Sequence, residues 1–336
     1  MKDISKLKAF LAEPKRIAIT THANPDADAL GSSLAFHHFL TSMGHEVYTI
    51  VPDSYASFLT WMEGHQEVLV FEENQQKVTG ILQKVDLFCA LDYSGFKRIK
   101  DMEEVAEKLD CPVLLIDHHL DPEIEPDFNF WDNTAAATAE LVYDLIVQYD
   151  GKESISAAIA ECLYAGIMTD TGSFKHPSTT SKIHRIVADL IDLGADVNKV
   201  SRSVYDSNTL RRLRFLGFAL LKKLVVDAEA RVAYFAISEI DIINYDLKKG
   251  DTEGLVNYAL SIENIRMAAI FIHRDGEIKM SFRSVGDIPV NTFAATYFEG
   301  GGHKNAAGGV SRMTLEETEE KFKALINKDV LNTRQK

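Results

Sequence analysis

The sequence predicts an α/β protein. We expect an N-terminal, mostly parallel sheet flanked by helices, followed by a smaller α/β domain joined to it by a helical connector. Three observations predict this. Short β-rich apolar runs alternate with helical stretches through the first half. The alternation breaks near residue 196. A hairpin signal and a glycine-rich segment then follow. The 336 residues suit two domains, at roughly 100–200 residues each. We expect boundaries at 1–195, 196–230 (connector) and 231–336.

In order along the chain, strands are expected over 16–22 (RIAITTH), 46–51 (EVYTIV), 85–92 (VDLFCALD) and 112–119 (PVLLIDHH). Apolar runs between helices suit a sheet buried on both faces. Helices are expected from about 28 to 43, stopped by Gly44, and over about 134–149, 155–168 and 180–193, the last stopped by Gly194. An amphipathic helix with early arginines is expected over about 209–226. Beyond it, RVAYFAIS (231–238) reads as a strand. Residues 267–284 read as a hairpin turning at Asp275-Gly276. The tail from about Thr314 reads as a charged amphipathic helix.

Composition narrows the class. Apolar residues are 46% and charged residues 26%, which excludes a disordered or fibrous chain. No apolar run approaches the roughly 18 residues of a membrane helix, and the start lacks a signal-peptide h-region. Cys89, Cys111 and Cys162 sit in apolar runs and read as buried free thiols of a cytoplasmic protein. The net charge of −14 argues against gripping a long nucleic acid by its backbone. Residues 1–195 carry 15 basic and 31 acidic side chains, whereas 196–336 carry 21 and 19. The charge fits either ordinary scatter or an acidic half that collects cations beside a half that accepts an anion.

Three of the four strands run into acidic residues or histidine: His22 with Asp26 and Asp28, then Asp92, then Asp117-His118-His119. Asp170, in GIMTDTGSF after an apolar helix, is positioned to join them. Open α/β sheets bind ligands beyond the carboxyl ends of their strands. Five carboxylates on one rim repel one another unless cations sit among them. Oxygen-rich donors with one or two imidazoles suit Mn²⁺ or Mg²⁺ better than Zn²⁺, and so many donors suit two ions. The plainer readings are a turn and N-cap for Asp26 and Asp28, and caps for Asp92 and Asp170. Adjacent histidines on a strand face opposite ways, which leaves one of His118 and His119 open to a structural role. His37, His38, His45 and His65 read as structural or surface residues. In the second half, Arg283 and the glycine-rich GGGHKNAAGG around His303 fit an anion-binding surface or, more plainly, a surface charge and a tight turn.

These residues resemble the DHH/DHHA1 phosphoesterases, specifically their bacterial nano-RNase/pAp-phosphatase branch. THANPDADALGSS (21–33), LDYSG (91–95), IDHH (116–119) and GIMTDTGSF (166–174) resemble the four metal motifs. GGGHKNAAGG (300–309) resembles the substrate motif of the DHHA1 domain. Ala27 stands where many members have glycine.

The resemblance implies two Mn²⁺ ions, with Mg²⁺ or Co²⁺ as substitutes. His22, Asp26 and Asp92 would hold one. Asp28, Asp92, His118 and Asp170 would hold the other, with Asp92 bridging. His119 would face the scissile phosphate, and Asp117 would orient its histidine neighbours. Arg283, His303, Gly301 and Gly302 would bind substrate, with Arg98 a further contact. The implied substrates are RNA of about two to five nucleotides, cut to mononucleotides, and pAp, losing its 3′-phosphate. Dinucleotides such as pApA or pGpG, pyrophosphate or polyphosphate, and a non-enzymatic nucleotide sensor are the rival readings. No long duplex or membrane is expected as a partner; a homodimer is a candidate assembly.

Overall fold

A computed structural model describes residues 4–274 and 276–326. The chain divides into two compact units, 1–207 and 208–336.

The first unit is built on a six-stranded parallel sheet. Its strands are β1 (Arg16–Thr20), β2 (Glu46–Val51), β3 (Leu69–Val70), β4 (Leu87–Leu91), β5 (Val113–Asp117) and β6 (Phe128–Trp131), in the order β3-β2-β1-β4-β5-β6. All neighbouring strands pair in parallel. β1 and β4 lie side by side although two strands separate them in sequence, which is a doubly wound order with its switch point between them. Every residue of β4 is buried, so an uninterrupted LFCAL run is what a central strand covered on both faces requires. The short β3 and the aromatic β6 carried no run long enough to read from sequence.

Helices Ala27–Ser42 and Ala157–Asp170 cross on one face of this sheet. Two glycines set how closely they pack. A Cβ on Gly31 would lie 2.5 Å from the Cys162 carbonyl oxygen, and one on Gly166 would lie 2.6 Å from Asp28 Oδ1. Helix Thr138–Asp150 packs beside both.

The second unit has a mixed sheet of β7 (Leu224–Asp227), β8 (Val232–Ile237), β9 (Met267–Arg274), β10 (Glu277–Ser284), β11 (Gly301–His303) and β12 (Ala306–Ser311), ordered β11-β12-β10-β9-β8-β7. β8 and β9 are parallel, joined through helices Glu239–Asn244 and Leu255–Leu260; the other pairs are antiparallel. β10 alternates half-buried and buried residues, as a sheet with one covered face demands. Gly276 takes the left-handed conformation expected of the hairpin turn, at φ 79°; its partner Asp275 lies outside the described residues. Helix Leu315–Leu325 starts with a capping box between Thr314 and Glu317.

The helix expected over 209–226 is shorter. Residues Leu210–Phe218 are helical, Ala219–Lys223 form a wider π turn, and Leu224–Asp227 become edge strand β7. LVVD is β-branched, and pairing with β8 outweighs helical periodicity there. Helix Val197–Tyr205 packs within the first unit through Val200 and Val204.

Candidate functional site

The loops leaving β1, β4 and β5 bring charged side chains to one rim of the first unit. At its centre is Asp92, immediately after β4, 1% exposed and with φ at +64°. Left-handed backbone costs about 1–2 kcal/mol for most residues, and aspartate tolerates it better than most. The Asp92 N–H still donates to Ile116 of β5 (3.0 Å), which ties this strained residue to the sheet.

Around Asp92, His22 Nε2 lies 3.4 Å from Oδ2, His118 Nε2 3.6 Å from Oδ1 and His119 Nδ1 3.7 Å from Oδ1. His22 Nε2 is also 4.0 Å from Asp26, and His118 Nε2 is 3.3 Å from Asp170 and 4.0 Å from Asp28. Ligand atoms of His22, Asp26 and Asp92 lie within 4.8 Å of one another, as do those of Asp28, Asp92 and His118. Both histidines use Nδ1 elsewhere: that of His22 donates to the Ala23 carbonyl (2.8 Å) and that of His118 to the Ala135 carbonyl (3.3 Å). Such a hydrogen bond fixes the tautomer in which Nε2 carries the lone pair, the usual state of a metal-ligating imidazole.

The alternation argument for His118 and His119 does not apply, because β5 ends at Asp117. Both rings reach Asp92 from the loop. Asp117 is fully buried, and its Oδ1 accepts the His119 Nδ1 proton at 2.7 Å. The Trp131 indole donates to the His119 carbonyl (2.7 Å), fixing the same loop from β6.

Asp26 and Asp28 combine the plain and the functional readings. Asp26 is the N-cap of helix Ala27–Ser42, accepting from the N–H groups of Asp28 and Ala29. Its second oxygen, Oδ2, is the one near His22. Asp28 caps a different helix. Its two oxygens accept the N–H groups of Thr138 (2.7 Å) and Ala139 (2.9 Å), the first residues of helix Thr138–Asp150. That helix has Ala137 at its N-cap, with no side-chain acceptor of its own. Asp170 is the last residue of helix Ala157–Asp170.

The electrostatics follow from this crowding. Burial, then repulsion from Asp92, Asp170 and Asp26, pushes the Asp28 carboxyl well above its ordinary range. Burial pushes Asp92 the same way, but His22, His119 and His118 outweigh it and hold the carboxyl far below that range. Burial disfavours charge on His22, yet hydrogen bonding to Asp92 and the charge of Asp26 raise its pKa overall, against a lowering influence of Arg98. That influence places the Arg98 guanidinium in the electrostatic field of His22.

Several residues of the site escaped the sequence reading. Asp53, two residues after β2, is buried and accepts the Asn24 N–H (2.6 Å) and Lys100 Nζ (2.8 Å). It pins the loop that carries His22 and Asp26, and it gives β2 an acidic follow-on like those of the other three strands. Thr138 donates its hydroxyl to Asp92 Oδ1 (2.9 Å). The Thr20 hydroxyl donates to the Cys89 carbonyl (3.0 Å) and meets the Tyr93 hydroxyl at 2.6 Å, locking β1 to β4 under the rim.

In the second unit, Arg283 pairs across the sheet with Ala306, and Ala306 with His303. Residues paired in register share a face. Arg283 and His303 therefore flank the Ala306 methyl on the less buried face of β10. The next row on that face is Ser281, Gly308 and Gly301. A Cβ on Gly301 would meet nothing within 4 Å, so the row beside Arg283, Ala306 and His303 is open backbone at Gly301. Gly302 differs. It faces the other way at φ 134°, and a Cβ there would lie 2.7 Å from the Ala306 carbonyl oxygen. Gly300 is tighter still, at 2.0 Å from the Gly308 carbonyl oxygen.

Four carboxylates and two imidazoles gathered at the switch point of a doubly wound sheet define a candidate two-ion centre. The chain belongs to the DHH–DHHA1 family of phosphoesterases: the DHH family N-terminal domain matches residues 16–167 and the DHHA1 domain residues 230–331. The probable bifunctional oligoribonuclease and PAP phosphatase NrnA of Streptococcus mutans is 28% identical over 96% of this chain and 97% of its own length. The bifunctional oligoribonuclease and PAP phosphatase NrnA of Bacillus subtilis is 26% identical over 87% and 88%. The crystal structure of an exopolyphosphatase-related protein from Bacteroides fragilis superposes with a TM-score of 0.94 at 34% identity, covering 99% of this chain and 97% of that one. Among the described residues no helix is long and apolar enough to cross a membrane.

Proposed function

We propose that this protein is a Mn²⁺-dependent hydrolase of short oligoribonucleotides, about two to five nucleotides long, that also removes the 3′-phosphate of pAp. The observation that carries the reading is the placement of His22 and His118 against one buried carboxylate, Asp92, with Asp26, Asp28 and Asp170 set beside those same imidazoles. The activities named for the relatives from S. mutans and B. subtilis support the substrate class.

The donor set fits a divalent pair. His22, Asp26 and Asp92 would hold one ion, and Asp28, Asp92, His118 and Asp170 would hold the other. When bound, such a pair acidifies water for attack on phosphorus and offsets the charge that develops there. Asp92 stays ionised because three imidazoles surround it. Asp117 accepts the Nδ1 proton of His119 and so fixes the orientation of the ring that would face the scissile phosphate. Arg283 and His303 bind a substrate phosphate, the Gly301–Gly308 floor accepts the nucleotide, and Arg98 adds positive charge beside His22. A net charge of −14 disfavours long nucleic acid, in keeping with a short substrate. Three free cysteines suit a cytoplasmic setting.

The test is one panel. Metal-stripped protein, with and without Mn²⁺, is incubated with pAp, a dinucleotide, a pentanucleotide, an RNA of about 24 nucleotides, pyrophosphate and polyphosphate. Mn²⁺-dependent loss of pAp and the short RNAs, with the long RNA intact, is the expected result. Turnover of pyrophosphate or polyphosphate alone would overturn the substrate class, and nucleotide binding without turnover under any metal would make the protein a sensor.

A further inference from the structure

Thr138 touches the candidate centre in two ways at once. Its backbone N–H donates to Asp28 Oδ2 (2.7 Å) and its hydroxyl to Asp92 Oδ1 (2.9 Å). Thr138 is fully buried, and so is Asp28. Asp28 lies in the first turn of helix Ala27–Ser42 and Asp92 just after β4, 64 residues further along the chain, and Thr138 donates to both.

The neighbourhood holds Thr138 rigidly. It is the first residue of helix Thr138–Asp150. Ala139 donates the second N–H to Asp28 (2.9 Å), so the helix start and the carboxylate grip each other in two places. Glu140 turns back to accept the Ala136 N–H (2.7 Å), and its other oxygen pairs with Lys182 (2.6 Å). The helix start is thus tied on both sides, and the Thr138 hydroxyl has a fixed origin. A hydroxyl donor occupies one lone pair of the carboxylate oxygen it meets and so sets which directions remain for other partners.

We propose that Thr138 is a positioning residue that sets the mutual orientation of Asp28 and Asp92, and with it the affinity of the centre for divalent cations. The inference rests on the reading of this rim as a metal centre. It adds that the N-terminus of helix Thr138–Asp150 is part of the centre's scaffold, delivered through one hydroxyl and two amides. Outer partners of metal ligands commonly change affinity or activity by about 10–100-fold.

The experiment compares wild type, Thr138→Val and Thr138→Ser in the full chain. Valine keeps the β-branched shape and the amide but loses the hydroxyl; serine keeps the hydroxyl and loses the methyl. Mn²⁺ alone is titrated into metal-stripped protein by calorimetry, and circular dichroism of the metal-free variants reports folding. We expect Thr138→Val to bind Mn²⁺ at least about tenfold more weakly. Thr138→Ser should recover to within about threefold of wild type. Wild-type Mn²⁺ affinity in Thr138→Val overturns the proposal. So does equal weakening in both variants, which would mean packing rather than hydroxyl direction, and so does a wild type that takes up no Mn²⁺. The hydrolysis panel is read separately: a wild type that binds Mn²⁺ but cleaves no nucleotide defeats the substrate reading and leaves the role of Thr138 to the affinity comparison.

Discussion

The two candidate binding regions are made from opposite materials. The rim of the first unit gathers side chains: carboxylates and imidazoles, all but Asp26 and Asp170 buried, held 3.3–4.0 Å apart by helix ends and strand-end loops. The glycine-rich face of the second unit gathers backbone: Arg283 and His303 flank a floor of Ala306, Gly301 and Gly308. In the first region, burial and then repulsion from Asp92, Asp170 and Asp26 push the Asp28 carboxyl up, a cost that a bound cation would relieve. In the second, little is stored, and a bare strand pair leaves room for a ligand to approach. On the proposed function, the first region would take a cation by crowding carboxylates and imidazoles, and the second an anion by setting Arg283 and His303 beside open backbone.

The sharpest way to break this contrast is Asp92→Ala. Its carboxylate is the one group that His22, His118 and His119 all approach. We expect a loss of activity on the order of 10³-fold or more, beyond that of an outer-shell partner, and a drop in bound Mn²⁺ per chain by equilibrium dialysis. Normal activity would remove Asp92 from the bridging role.

Glycine substitutions separate packing from binding. Gly300→Ala places a methyl 2.0 Å from the Gly308 carbonyl oxygen, and it should cost about 3 kcal/mol in denaturant unfolding. Gly166→Ala places one 2.6 Å from Asp28 Oδ1 and 2.8 Å from the Ala139 Cβ. That should cost about 1–3 kcal/mol and also weaken Mn²⁺ binding, because Asp28 must move. Gly301→Ala meets open space and should change stability by less than about 0.5 kcal/mol. A raised KM in that stable variant would show that substrate lies on the floor.

Arg283→Ala and His303→Ala should raise KM for pAp and short RNA while leaving Mn²⁺ affinity unchanged. An altered Mn²⁺ affinity, or an unchanged KM, would merge the two regions or remove the second from binding.

The smallest effect concerns the thiols. Burial pushes the Cys162 thiol up to about 12, and it raises buried Cys89 and half-buried Cys111 in the same direction. A raised thiol pKa means a protonated, unreactive sulfur at pH 8. Native protein should therefore react slowly with an alkylating reagent, and unfolded protein should label at all three cysteines.

Much of the centre was legible in the sequence because its donors sit at strand ends, where apolar runs stop abruptly at acidic residues or histidine. β1, β4 and β5 were readable for the same reason, being buried on both faces and continuously apolar. The two-residue β3 and the aromatic β6 had no such run. LVVD at 224–227 followed a helical period until an edge of the second sheet claimed it.

What the sequence determined by itself was the chemistry present: which donors exist, their order, and the parallel sheet that carries them to one rim. Periodicity and strand-end residues are local, and local patterns survive in one dimension. Tertiary structure alone decided that Asp28 caps a helix 110 residues away, that Asp53 pins the His22 loop, and that Thr138 joins two carboxylates. It also separated Gly301, open to a ligand, from Gly302, committed to backbone geometry. Those facts depend on which surfaces meet after the chain has closed long loops, and no spacing along the chain records them.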